Sequence, residues 1–76
     1  MRVEAEGLVL TTEKFEELPD HPWFASIETD LSFGVANSAR CETEADAVTS
    51  VICDLEYRIS RLEDAARAKL AKGEEA

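Results

Sequence analysis

Few side chains in this 76-residue chain have the type and spacing that chemistry requires. Asp20 and His21 are adjacent, and a carboxylate beside an imidazole is the simplest acid/base pair. Neighbours in a loop flanked by Pro19 and Pro22 seldom meet in a proton-transfer geometry, and the chain has no second histidine. His21 therefore reads as a loop residue that helps cover the Trp23 region. Cys41 lies next to Glu42 and close to Glu44, whose charge disfavours a thiolate nucleophile. Cys41, Cys53 and His21 match no zinc-site spacing, so neither a metal nor another cofactor is expected. Carboxylates pair at Glu16-Glu17 and at Glu28/Asp30, an arrangement that serves glycoside hydrolysis only inside a cleft. A domain this small has little room for one, and the expectation is a protein that is not an enzyme.

What is plentiful is negative charge, and it is uneven. Residues 1–46 hold eleven Asp/Glu against three Lys/Arg, leaving −8, whereas residues 47–76 hold six against five, leaving −1. A strongly acidic surface repels phosphate, so direct binding to nucleic acid or to an anionic membrane is not expected. It favours fast, salt-sensitive docking onto a basic partner. The candidate partner-binding residues are Glu4, Glu6, Glu13, Glu16, Glu17, Asp20, Glu28 and Asp30, with Trp23 as an apolar anchor beside Phe24.

These side chains need a scaffold, and seventy-six residues make one domain with a small core. Residues 2–10 alternate as a strand, with Gly7 marking a bulge or a change of face. Residues 13–18 read as a short helical turn capped by Thr12 and ended by Pro19, or else as a longer strand followed by an acidic loop. Residues 23–30 alternate again, with Trp23, Ala25 and Ile27 on one face and Phe24, Ser26, Glu28 and Asp30 on the other. After a turn near 30–32, a third strand is expected over 33–40, where Gly34, Ala36 and Ser38 make one face small.

Thr43 opens the clearest element. Thr43-Glu44-Ala45-Asp46 is close to a capping box, and neither Gly nor Pro interrupts the chain before Gly73. The spacing predicts a helix over 44–72, with 74–76 frayed. Cys53 lies nine residues into it, roughly 13 Å from its start, too far from Cys41 for a disulfide and consistent with a reducing, cytoplasmic setting. Neither a signal peptide nor an apolar run of membrane-spanning length is apparent. The fold class expected is α+β: a three-stranded antiparallel sheet packed on one long C-terminal helix.

That helix is longer than its sheet. Val48, Ile52, Leu55, Ile59, Leu62 and Ala66 step alternately by four and three residues, a heptad seam. Ile59, Leu62, Ala66 and Leu70 fall beyond the strands, so self-association through them, as a homodimer or other assembly, is the rival to the acidic-docking reading. In size, charge and element order, though in no residue motif, the chain resembles the small acidic phage-encoded inhibitors called anti-CRISPR proteins. The resemblance implies a stoichiometric blocker of a crRNA-guided surveillance complex, acting in the cytoplasm of a bacterial host. The Thr43–Ala47 turn that opens the helix is also similar to HicB-like antitoxin domains. The Gly-rich hairpin and separate DNA-binding module expected there are missing.

Overall fold

A two-residue loop decides the start of the chain. Glu6 and Gly7 both adopt positive φ, 54° and 77°, the pairing that a type I′ hairpin turn demands. The computed structural model describes residues 1–29 and 34–75, with side chains through Gly73. In it, this turn splits the single strand expected over 2–10 into β1 (Arg2–Ala5) and β2 (Leu8–Lys14), paired antiparallel from Ala5 opposite Leu8 to Arg2 opposite Thr11. Leu8 and Leu10 are in the other phase because the chain has reversed, not because the strand bulges. The extra strand makes the sheet four-stranded, in the order β1-β2-β3-β4, where three were expected.

β2 also runs on through Glu13 and Lys14, so the short helix at 13–18 does not form. A tight turn replaces it, with the Leu18 amide donating to the Phe15 carbonyl at 3.1 Å. β3 (Trp23–Thr29) pairs with β2 along its whole length, and β4 (Ala36–Asn37) pairs with β3 opposite Ser26 and Ile27. β4 is much shorter than the strand expected over 33–40. Asp30, the turn at 30–32 and Phe33 lie outside the described residues.

The register sorts the side chains onto two faces. Val3, Ala5, Leu8, Leu10, Thr12, Trp23, Ala25, Ile27 and Ala36 share one. The helix α1 (Glu44–Glu75) lies on that face and continues past Gly73, the position expected to end it. Its start is capped as the sequence predicts: the Asp46 amide donates to Thr43 Oγ1 at 3.1 Å. Ala47 and Val51 on α1, with Ala25, Ile27 and Ala36 on the sheet, form the core. None of the five is large, and Val51 is the bulkiest side chain that is completely enclosed. Small residues under the helix are what let it settle close.

Close approach also lets α1 seal the outer edge of β4. The Asn37 amide donates to Asp54 Oδ2 at 3.0 Å and the Ala39 amide to Ser50 Oγ at 3.0 Å. Two helix side chains four residues apart thus take the hydrogen bonds that a fifth strand would take. α1 lies over β3 and β4, touches β2 more sparingly and leaves β1 uncovered. At the start of α1 Thr12 Oγ1 donates to Glu44 Oε2 at 2.6 Å and accepts from the Met1 amine at 3.1 Å. From Glu56 to Gly73 every helix residue is exposed, an overhang of roughly 27 Å. The molecule measures 55 × 24 × 16 Å.

Two outcomes follow from these contacts. Replacing Glu6 by Asn, a residue suited to the left-handed region, should raise stability by about 0.5–1 kcal/mol in urea unfolding. The bond from the Asn37 amide, then the Arg58 guanidinium, holds the Asp54 carboxyl below its ordinary value of 3.8. A lowered folded-state value means stabilisation that is complete above 3.8 and is lost as pH falls through the folded value. Asp54→Asn should therefore lower the melting temperature at neutral pH, and its deficit against the parent protein should shrink in acid. A deficit that stays constant down to strongly acidic pH would contradict this linkage.

Candidate functional site

The face of the sheet turned away from α1 carries the rest of the alternating residues. Across one row Glu4 stands opposite Val9, and Val9 opposite Glu28. In the next, Arg2, Thr11, Ser26 and Asn37 line up, with Thr11 Oγ1 and Ser26 Oγ hydrogen-bonded at 3.2 Å. In the third, Glu13 pairs with Phe24. Phe15 follows on the same side, and the Arg40 guanidinium stacks over both rings, 4.2 Å from the centre of Phe15 and 5.2 Å from that of Phe24. The face is therefore a small polar plateau with carboxylates at both ends and an Arg-covered aromatic pair at one end.

The predicted partner-binding residues do not all meet there. Glu4, Glu13 and Glu28 share the plateau. Glu6 projects from the β1–β2 turn, and Glu16, Glu17 and Asp20 lie in the β2–β3 connection at the opposite end of the sheet. Asp30 is outside the described residues. Cations interrupt the set: Arg2 meets Glu4 at 2.6 Å and Lys14 reaches Glu16 at 4.0 Å. Glu6, Glu13, Glu17, Asp20 and Glu28 have no ion pair among the described residues.

Trp23 sits on the helix side, half-buried against the core, with Lys14 Nζ 5.9 Å from its ring centre. The aromatic group on the plateau is Phe24, its neighbour in the sequence. Phe15 and Arg40 were missed as site residues. Continuing the alternation of β2 past Lys14 would have placed Phe15 beside Phe24, but the short helix expected at 13–18 concealed that continuation.

The reactive residues stay apart. His21 Nε2 lies 3.9 Å from Glu42 Oε1, an exposed pair with no third partner. Both cysteines are free: Cys41 Sγ donates to the Ala39 carbonyl at 3.3 Å, and Cys53 is exposed. Among the described residues no group of three or more His, Cys, Asp or Glu is placed to hold a metal ion. No helix among them is long and apolar enough to cross a membrane.

Of the heptad seam, Val48 and Leu55 are half-buried, while Ile52, Ile59, Leu62 and Leu70 are exposed, the last two at 70% and 67%. The buried stripe runs instead through Ala47 and Val51, one helix position to the side. The seam thus follows the flank of α1 that borders uncovered β1. Comparison with known proteins finds no matching family model, curated protein or solved structure.

The stacking of Arg40 has a measurable consequence. A guanidinium over an exposed ring is worth roughly 0.5–1 kcal/mol, so Arg40→Ala should cost about 1 kcal/mol in urea unfolding. Arg40→Lys, without the planar group, should recover only part of that loss. An Arg40→Ala protein as stable as the parent would show the stack to be incidental.

Proposed function

We propose that this chain is a non-enzymatic protein-binding module that inhibits or regulates a larger, basic, nucleic-acid-handling partner. The open face of the sheet is its docking surface. The carrying observation is that this face is turned away from the helix and flanked by Glu13 and Glu28, neither of which is paired with a cation among the described residues.

Carboxylates standing out from a plateau can occupy Lys/Arg sites that would otherwise hold phosphates, and Phe24 beneath Arg40 supplies an apolar contact. The field of the acidic half would speed encounter, and salt would weaken it, because exposed charges are screened beyond about 10 Å at 0.1 M ionic strength. A crRNA-guided surveillance complex is the partner class that the resemblance to anti-CRISPR inhibitors implies, and its target-DNA surfaces have the required charge. The turn carboxylates Glu6, Glu16, Glu17 and Asp20 would then steer approach from the two ends of the sheet.

The test is affinity capture from a bacterial lysate, with and without nuclease, comparing the parent chain with Glu13→Lys/Glu28→Lys. The expected result is retention of basic nucleic-acid-binding proteins that falls with salt, is displaced by added duplex DNA and is lost in the variant. A circular dichroism spectrum matching the parent would show the variant folded. Identical retention by parent and variant would refute the assignment of the open face.

A further inference from the structure

The helix side of the molecule is unfinished. Because α1 lies over β3 and β4, a groove of about 210 Å³ remains beside it, lined by Val3, Ala5, Leu8, Leu10, Ile52 and Leu55. Val3 is 48% exposed there, and Ile52 is 39% exposed. The seam of α1 leaves this groove at Leu55 and continues along the overhang as Ile59, Leu62, Ala66 and Leu70. At 100° per residue these side chains occupy one narrow stripe in line with Ile52 and Leu55. One apolar strip therefore has two halves, a concave one on the body and a convex one on the overhang.

The chain segments that supply the two halves differ in net charge. Residues 56–73 carry five Lys/Arg against three Asp/Glu, ahead of the terminal Glu74-Glu75, whereas residues 1–46 carry the net −8. Arg61, Lys69 and Lys72 have no ion pair among the described residues. Glu6 stands in the β1–β2 turn, at the end of the sheet where the overhang departs. The core gives a third reason to expect a partner: its five members include three alanines, and both cysteines are free. Domains this small usually need a disulfide, a metal or another subunit to complete their burial.

We propose that two copies of this chain associate antiparallel about a two-fold axis, each laying its overhanging helix into the groove between β1–β2 and α1 of the other. With the axis passing near Leu62, Leu70 of each chain comes level with Leu55 of its partner, at the groove. Lys69 and Lys72 then run toward the partner's β1–β2 turn, where Glu6 has no ion pair among the described residues. A single chain cannot make this contact with itself, since Leu70 lies fifteen residues beyond Leu55, roughly 22 Å along a continuous helix. The two-fold arrangement fills both grooves and covers both overhangs at once, which is how a short stripe reaches the roughly 800 Å² per partner of a stable interface. A second copy fits better than a parallel coiled coil, which would cover the stripes and leave both grooves open. The pairing stands apart from the open-face assignment, because it uses the opposite side of the sheet.

Sedimentation equilibrium of the full chain tests it. We expect the mass of two chains at micromolar concentration. Leu62→Asp/Leu70→Asp should weaken association on the order of 100-fold or more, and its helical circular dichroism should survive because both sites are exposed in the single chain. Orientation is read by thiol cross-linking in a Cys41→Ser/Cys53→Ser background. A chain with Val3→Cys mixed with a chain with Leu70→Cys should cross-link across the pair. A single-chain mass at high micromolar concentration would overturn the proposal. So would a dimer unaffected by Leu62→Asp/Leu70→Asp, or one in which Leu70→Cys links only to itself, the mark of a parallel coil.

Discussion

The close seating of α1 on β3 and β4 governs everything else in this molecule. Ala25 and Ala36 below, and Ala47 above, leave Ile27 and Val51 as the larger members of the buried core, with Leu8, Leu10, Trp23 and Leu55 packed partly buried against it. A helix that settles this deeply can reach past the sheet margin with short side chains. Ser50 and Asp54 do so, and Arg58 steadies Asp54 from one turn further on, at 3.0 Å. Larger residues at the three alanines would lift the helix and withdraw both side chains from the β4 amides. Packing and edge hydrogen bonding are therefore one constraint, and the displacement of α1 toward β4 leaves β1 bare.

That displacement gives the two faces different characters. The open face is polar, with Glu4, Glu13 and Glu28 set against Arg2 and against Arg40, which covers its aromatic pair. The helix face is apolar and half-covered, with Val3, Leu8 and Leu10 beside the exposed flank of α1. The charge division of the sequence follows the same anatomy. Excess carboxylates belong to the sheet, its turns and the first turn of the helix, while the cations without an ion pair among the described residues are Arg61, Lys69 and Lys72 on the overhang and Arg40 on the open face. If pairing occurs through the helix face, both acidic plateaus remain outward, and a dimer would present two docking surfaces to a partner.

Much of this architecture was legible in the residues. Thr43 and the uninterrupted run behind it announced the helix, and the alternation of Trp23 to Glu28 assigned both faces of β3 correctly. The excess length of the helix over its sheet was visible from arithmetic on its span. The β1–β2 hairpin was not, because the first turn position is Glu6 rather than the Asn, Asp or Gly that usually signals a type I′ turn. That one omission removed a strand and put the phase of Leu8 and Leu10 down to a bulge or a change of face at Gly7. The buried helix stripe through Ala47 and Val51 lies one position from the seam, and its small side chains are less conspicuous than Leu and Ile at 52, 55 and 59. Of the candidate site, the three plateau carboxylates could be foreseen only once strand register was known, and register depended on the missed turn.

The sealed β4 margin makes the sheet one-sided in a further sense. Its two outermost strands are not equivalent: the Asn37 amide of β4 and the Ala39 amide just past it bond Asp54 and Ser50, while β1 has a strand neighbour, β2, on one side alone among the described residues. Among the described residues, the margin that offers itself to an added strand is that of β1. Two molecules joining there would each have used their single available margin, and nothing would be left to recruit a third. Strand addition in this protein would end in a closed pair, and the endless ladder from which fibres grow would be blocked by two side chains on a helix.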